Sequence, residues 1–232
     1  MVHLLDNPAW SALTTVQSGF AVGGAAAKRY RPGVLPFAAL PSGGRAGDLD
    51  ARSGDLDALY GGSGESFFLI GHLPTLPAHW SLELELPCAQ LLAPEDVSLF
   101  PAVRDEIIPL GPTDKAEMFD LVDRVQPGYY LPGTPELGAY FGIRADGRLV
   151  AMAGERMRLT GFSELSAVCT LPEYTGRGYA QQLMGELMRQ QIAAGIVPFL
   201  HVSLANQRAL RLYYHLGFRH RREISFYRIR RS

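Results

Sequence analysis

The sequence has few cysteines, almost no excess charge and no long apolar segment. Its two cysteines, Cys88 and Cys169, fit neither a disulfide framework nor a metal-binding spacing. The formal net charge is −1, which argues against a general attraction to nucleic acid or to an acidic membrane. No stretch approaches the roughly 18 apolar residues of a membrane span, and the N-terminus lacks the pattern of a signal peptide. We therefore expect a cytoplasmic protein without a metal, nucleic-acid or membrane partner.

Two common phosphate-binding patterns are also missing. The glycine turn at 175–180 has no third glycine at the dinucleotide-binding spacing, and no acidic residue ends a following strand. The Gly-Lys-Ser/Thr sequence of a P-loop does not occur either. These absences argue against a Rossmann-type dinucleotide site and against a P-loop nucleotide site.

The chain changes character near residue 105. Before that point, we predict a short helix near Pro8–Thr14 and strands at Ser66–Ile70 and Ser81–Leu86, the latter with alternating polar and apolar residues. We assign residues 1–105 to a smaller N-terminal α/β segment of unclear role. Residues 106–232 form the main predicted domain.

Regular elements follow one another closely in the main domain. Ala145-Asp146-Gly147 predicts a hairpin turn, because glycine readily adopts positive φ. Apolar residues at helical spacing after residue 178 predict an amphipathic helix. The predicted strands lie at 107–110, 138–144, 148–159, 165–171, 198–203 and 218–229, and the predicted helices at 114–125, 178–194 and 206–215.

A glycine-containing turn precedes the longest predicted helix. Gly176 and Gly178 would let a ligand approach the backbone closely, since no Cβ stands in the way. The unpaired N–H groups and the positive dipole end of the helix favour a phosphate at this place. Such a turn is weak evidence by itself.

Two motifs in this order resemble those of the GNAT N-acetyltransferase superfamily. Its phosphate turn, Gln/Arg-x-x-Gly-x-Gly/Ala, matches at Gly178 and Ala180 and departs at Thr175. Its second signature, Asn-x-x-Ala-x-x-Leu-Tyr-x-x-Leu-Gly-Phe, matches Asn206–Phe218 completely. The resemblance covers about 107–231, and the stretches Ala153–Met157 and Pro172–Ala180 look most like the FR47-like branch. It implies an α/β (α+β) fold with a mixed, twisted, mostly antiparallel sheet flanked by helices.

The resemblance also implies an activity, namely direct transfer of an acetyl or short acyl group from acetyl-CoA to an amine. The pyrophosphate would bind the glycine turn, and the pantetheine arm would pair with the strand that precedes it. Asn206 would hold the CoA arm or cap its own helix. The residues implied in cofactor binding are Val168, Cys169, Thr170, Thr175, Gly176, Arg177, Gly178, Tyr179, Ala180 and Asn206.

Two proton transfers require candidate residues. A lysine-type amine, with a pKa of about 10.4, is mostly protonated at neutral pH, so a base would help it to attack. Glu164, Glu155 and a water relay all stay open for that role, and Glu155 could instead pair with Arg156 or Arg158. Tyr213, at the family's tyrosine position, is the candidate acid for the leaving thiolate, with a core aromatic as the alternative.

The acceptor is predicted only as a small-molecule or peptide amine. Tyr129 and Tyr130, in the loop before the central hairpin, are candidates for contacting it. His201 is interpreted as a structural residue. A homodimer stays open, and so does a rival function, a CoA-binding module without catalysis.

Overall fold

The computed structural model describes residues 3–41, 53–60 and 64–232. A small sheet contains β1 (Ala21–Gly23), β2 (Lys28–Tyr30) and β3 (Ala38–Ala39). An eight-stranded sheet contains β4 (Ser66–Ile70), β5 (Trp80–Leu92), β6 (Ile108–Pro109), β7 (Tyr140–Ala145), β8 (Arg148–Leu159), β9 (Phe162–Thr170), β10 (Val197–Ser203) and β11 (Arg219–Arg231).

The strand order in the large sheet is β4-β11-β5-β10-β9-β8-β7-β6. Neighbouring strands are antiparallel except β9 and β10, which run parallel. A mixed, mostly antiparallel sheet with flanking helices confirms the predicted fold class.

Five α-helices accompany the sheets in the described ranges. They are α1 (Pro8–Thr14), α2 (Ser53–Asp57), α3 (Lys115–Val125), α4 (Tyr179–Ala193) and α5 (Gln207–His215). Helix α1 begins and ends at the predicted residues. Asn7 caps its N-terminus by accepting a hydrogen bond from the backbone N–H of Trp10 at 3.3 Å. None of these helices is long and apolar enough to cross a membrane.

The large sheet is covered on both faces. Successive side chains of a strand point to opposite faces, so Phe199 and Leu200 of β10 enter different cores. Leu200 packs with apolar residues of α3, α4 and α5, such as Leu183. Phe199 packs with residues of α1 and of the small sheet, such as Leu13. The N-terminal residues therefore form the second layer over the sheet.

Strand β5 is longer than predicted. The alternating stretch Ser81–Leu86 is only its first half, and the second half continues through the buried Cys88–Leu91. There, β5 is hydrogen-bonded to β10 on one side and to β11 on the other. Both predicted segments thus contribute strands to one sheet, and the domain boundary near residue 105 stays a prediction.

Candidate functional site

Strands β9 and β10 separate in the middle of the large sheet. They pair from Val197 and Phe162 to Phe199 and Glu164, and no pair follows. On its other side, β9 stays paired with β8, with a register shift near Ala167. Ala167 has φ 50°, in the left-handed region that residues with a Cβ seldom adopt. The edge of β9 beyond Glu164 therefore faces β10 without a strand partner.

A cleft of about 230 Å³ opens where the strands part. Its walls come from β9 and β10, from α5, and from residues of β5, β8 and the loop before β7. The lining includes Val168 of β9. Its side chains with polar or charged groups include Tyr129, Tyr130, Arg156, His201, Asn206 and Tyr213. Five predicted site residues, Tyr129, Tyr130, Val168, Asn206 and Tyr213, thus line one cleft.

The predicted phosphate turn leads into α4. Gly176 and Gly178 have φ values of 82° and 80°, and Gly178 is the N-cap of the helix. No side chain caps this end, and the N–H groups of Tyr179 and Ala180 have no hydrogen-bond partner within the described ranges. Thr175, at the position that departs from the motif, donates its hydroxyl to the carbonyl of Pro172 at 2.9 Å. The turn offers free backbone donors at a positive helix end.

Helix α5 carries two predicted residues into the cleft. Asn206 accepts a hydrogen bond from the N–H of Ala209 at 3.1 Å, so it caps the helix. Its amide nitrogen stays available to a ligand. Tyr213 packs against Phe218, with ring centroids 5.5 Å apart. Burial raises the pKa of the Tyr213 phenol to about 12, so the hydroxyl keeps its proton at neutral pH.

Glu164 lies behind the cleft and is fully buried. Its carboxylate accepts from Nε and Nη2 of Arg156 at 2.9 and 2.6 Å, and it lies 2.7 Å from Nδ1 of His201. Burial alone would raise the pKa of this carboxyl group, but Arg156 and His201 outweigh it and hold the pKa well below its usual range. A carboxylate with this environment is a weak base.

This lowered pKa predicts an acid-sensitive fold. A depressed carboxyl pKa stabilises the folded protein above the unfolded-state value, near 4.5, and the contribution is lost as the pH falls towards about 2. We expect the free energy of unfolding, measured with urea, to decline over that interval. The decline should be shallower in the double variant Arg156→Gln/Glu164→Gln, and equal slopes would contradict the prediction.

Hydrogen bonds hold the His201 ring on both sides. Gln90 donates from Nε2 to the carbonyl of Leu5 at 2.9 Å and accepts from Arg221 at 2.7 Å, which fixes the orientation of its amide. The same Nε2 lies 2.9 Å from Nε2 of His201 and so donates to it. Nδ1 of His201 donates to Glu164, because an ionised carboxylate can only accept. Both of its ring nitrogens are occupied.

Glu155 connects several elements through hydrogen bonds and does not line the cleft. One oxygen accepts from Ser163 at 2.6 Å and from Gln191 at 2.9 Å, and the other accepts from the N–H of Ala139 at 2.8 Å. These bonds link β8 to β9, to α4 and to the residues before β7. Gly138 is needed beside it, because a Cβ there would lie 2.5 Å from the Cβ of Glu155.

The remaining candidates differ in their surroundings. The Tyr130 hydroxyl is buried and has no hydrogen-bond partner among residues 3–41, 53–60 and 64–232. The Tyr129 ring packs on Phe68, with centroids 5.0 Å apart. Cys169 and Thr170 end β9 and pair with β8. Burial raises the pKa of the Cys169 thiol to about 12, which leaves it a poor nucleophile.

Comparisons with known proteins agree with this architecture. Residues 140–227 match the family model of FR47-like proteins. A GNAT-family protein from Novosphingobium aromaticivorans, known from a crystal structure, is 38% identical over 100% of both chains, with a TM-score of 0.87. A GCN5-related N-acetyltransferase from Kribbella flavida shares the fold, with 15% identity over 96% of this chain and 95% of that chain and a TM-score of 0.61. No curated protein matches the chain.

The fold and the matches define a class, the acetyltransferases built on a sheet that parts between two parallel strands. The chain belongs to the GNAT family, as its two motifs indicated, and its residues 140–227 match the FR47-like model within that family. The sequence suggested Arg156 only as a possible partner of Glu155, and it set His201 aside. An arginine inside the apolar strand β8 was the available signal, and its partner Glu164 is on the neighbouring strand.

Proposed function

We propose that the protein transfers an acetyl or other short acyl group from acetyl-CoA directly to the amine of a small molecule or peptide. One observation carries the proposal, the parting of β9 and β10 beside an uncapped helix N-terminus. Together these features offer free backbone donors for a pyrophosphate and a free strand edge for an amide-containing arm. Acetyl-CoA has both groups and supplies the acyl group as a thioester.

The residues fit such a ligand in three places. The backbone amides of 177–180 would bind the pyrophosphate, helped by the helix dipole. The edge of β9 over 166–170 would bind the pantetheine arm, and an amide at Val168, Cys169 or Thr170 would face the thioester oxygen. The free amide nitrogen of Asn206 would contact the same arm, since its oxygen is used by the helix cap.

Tyr213 is the proposed proton donor to the leaving thiolate. It lines the cleft and stays protonated at neutral pH. A thiol has a pKa of about 8.5, below that of this phenol, so Tyr213 would donate its proton as the C–S bond breaks and would regain a proton from water afterwards.

Water in the cleft is the proposed acceptor of the amine proton. Glu164 and Glu155 are the other candidates, but each carboxylate is already held by at least three hydrogen bonds from its neighbours. Protonating either would break these contacts at a buried position, which is costly. An amine that is partly neutral at the working pH suits such a site.

The test is thiol release from acetyl-CoA in the presence of an amine panel, followed with a thiol-detecting dye. We expect release that depends on both the amine and the protein, with the N-acetylated amine as product. Binding of acetyl-CoA by calorimetry without thiol release across the panel would instead support the non-catalytic CoA-binding module.

The glycine turn yields a specific prediction. Replacing Gly178 by Ala should weaken CoA binding about tenfold, because a residue with a Cβ resists the φ of 80° and shifts the free N–H groups. Gly195→Ala is a matched control, since Gly195 has φ 72° beyond the other end of α4 and open space around its Cβ position. Both variants should lose similar stability. Equal loss of CoA affinity in both would refute the role of the turn.

A further inference from the structure

Arg156 presents a partly free guanidinium to the cleft. Its hydrogen bonds to Glu164 use Nε and one N–H of Nη2, which leaves three of the five N–H donors. Nη1 has no hydrogen-bond partner in the part of the chain that the structure describes. The group lies 5.1 Å from the Phe37 ring centroid and 5.7 Å from that of Phe226, so aromatic side chains hold it in place.

The charged part of the cleft lining is positive. Within the described ranges, no Asp or Glu lines the cleft, and Arg156 is the only Lys or Arg that does. Glu164, behind Arg156, already accepts from both Arg156 and His201. An acceptor with extra positive charges would therefore find no counter-charge, whereas a carboxylate would find unused donors.

Apolar side chains form part of the cleft wall near Arg156. Leu86, Tyr129 and Phe226 line the cleft beside it. Leu86 and Tyr129 are partly buried and Phe226 is buried against the N-terminal layer. These walls would favour an aliphatic or aromatic group next to the charged edge.

We infer that the acceptor is an amino acid-like amine with an apolar side chain, whose carboxylate binds the free edge of Arg156. This inference rests on the proposed acetyl transfer and narrows its acceptor. Arg156 would then bridge two carboxylates, Glu164 on one edge and the substrate on the other. A guanidinium suits this role because its donors form a planar fork that pairs with carboxylates on more than one side. Arg156 is a binding residue here, and the proton carriers remain those proposed above.

A panel matched in side chain tests the inference on the unaltered protein. The acceptors are L-phenylalanine, L-phenylalaninamide and 2-phenylethylamine, with a leucine series beside them. Their amines differ in pKa, so kcat/KM is compared at its pH-independent limit. We expect the carboxylate to raise kcat/KM about 10- to 100-fold over both analogues, as for hydrogen bonds to charged groups. An amide or plain amine that reacts equally well would overturn the inference, and a preference for the amide would indicate a peptide N-terminus.

Variants of Arg156 test whether this residue causes the preference for a carboxylate. Arg156→Lys keeps the charge and loses the fork, and Arg156→Gln/Glu164→Gln removes the pair together. Both should reduce the carboxylate preference to within about threefold. Arg158→Gln is the matched control, because Arg158 is on the same strand, is half-exposed and does not line the cleft. An unchanged preference in the folded double variant would refute the assignment. If the variants do not fold, the panel above decides alone.

A binding measurement separates this inference from the proposed function. Calorimetry with CoA present would compare N-acetyl-L-phenylalanine with its amide, and neither ligand requires turnover. Tighter binding of the acid together with no thiol release would uphold the carboxylate site and reject the proposed reaction. Acetyl transfer without any carboxylate preference in rate or binding would uphold the reaction and reject the site.

Discussion

Replacing Glu164 by Gln should lower the free energy of unfolding by about 3–5 kcal/mol. The substitution leaves the guanidinium of Arg156 buried without its counter-charge, and it turns one of the two oxygens that accept from Arg156 and His201 into an amide donor. Burial makes such a loss large, since the side chain of Glu164 is 1% exposed and that of Arg156 is 12% exposed. Urea unfolding followed by circular dichroism measures the effect.

Two other variants are controls for the stability loss expected of Glu164→Gln. Glu173→Gln removes an exposed carboxylate 3.5 Å from Arg148 and should cost less than about 1 kcal/mol. Arg156→Gln/Glu164→Gln removes both charges and should recover part of the stability lost in the single variant. A Glu164→Gln protein as stable as the unaltered one, but inactive with amines of high pKa, would instead make Glu164 the base.

Replacing Tyr213 by Phe should lower kcat about 10²-fold and leave the affinity for acetyl-CoA within about twofold. The change removes only the hydroxyl, and the ring can keep its contact with Phe218. Rapid-mixing measurements of a single turnover isolate the acyl-transfer step from product release.

The neighbouring tyrosine is the control for this change. Tyr214 is 47% exposed and does not line the cleft, so Tyr214→Phe should leave kcat unaltered. A Tyr213→Phe protein that unfolds would support the core-aromatic alternative. One that folds and turns over at the normal rate would remove Tyr213 from the mechanism.

Local patterns predicted much of the fold. The ends of β4 were predicted to the residue and those of α4 within one residue, because apolar runs and glycine turns are short-range signals. The ends of α1 also agree with the prediction, although its apolar period is poor. The position of β5 between β10 and β11 could not be predicted, because strand pairing joins residues far apart in sequence. The family assignment was confirmed because two motifs in fixed order are specific.

The site was predictable where a motif names a position. Tyr213 and Asn206 were found this way, and both line the cleft; their roles stay predictions. For Glu155, the sequence left Arg156 and Arg158 open as partners, and Arg158 does lie 3.7 Å from it. The structure pairs Arg156 with Glu164, because that residue on β9 lies on the same face of the sheet. A sequence shows a charge in an apolar strand, but not which neighbour neutralises it.

The hydrogen-bond network behind Arg156 has a consequence for how the sequence can change during evolution. It continues from Glu164 and His201 through Gln90 to Arg221, which donates to Asp6 at 2.7 Å. Each side chain in this network is hydrogen-bonded to the next, so a single substitution leaves a polar group without its partner. Among relatives, we expect these positions to be exchanged as a set. The segment around Asp6 and the cleft end near Arg156 would then share one evolutionary history, although 150 residues separate them in the sequence.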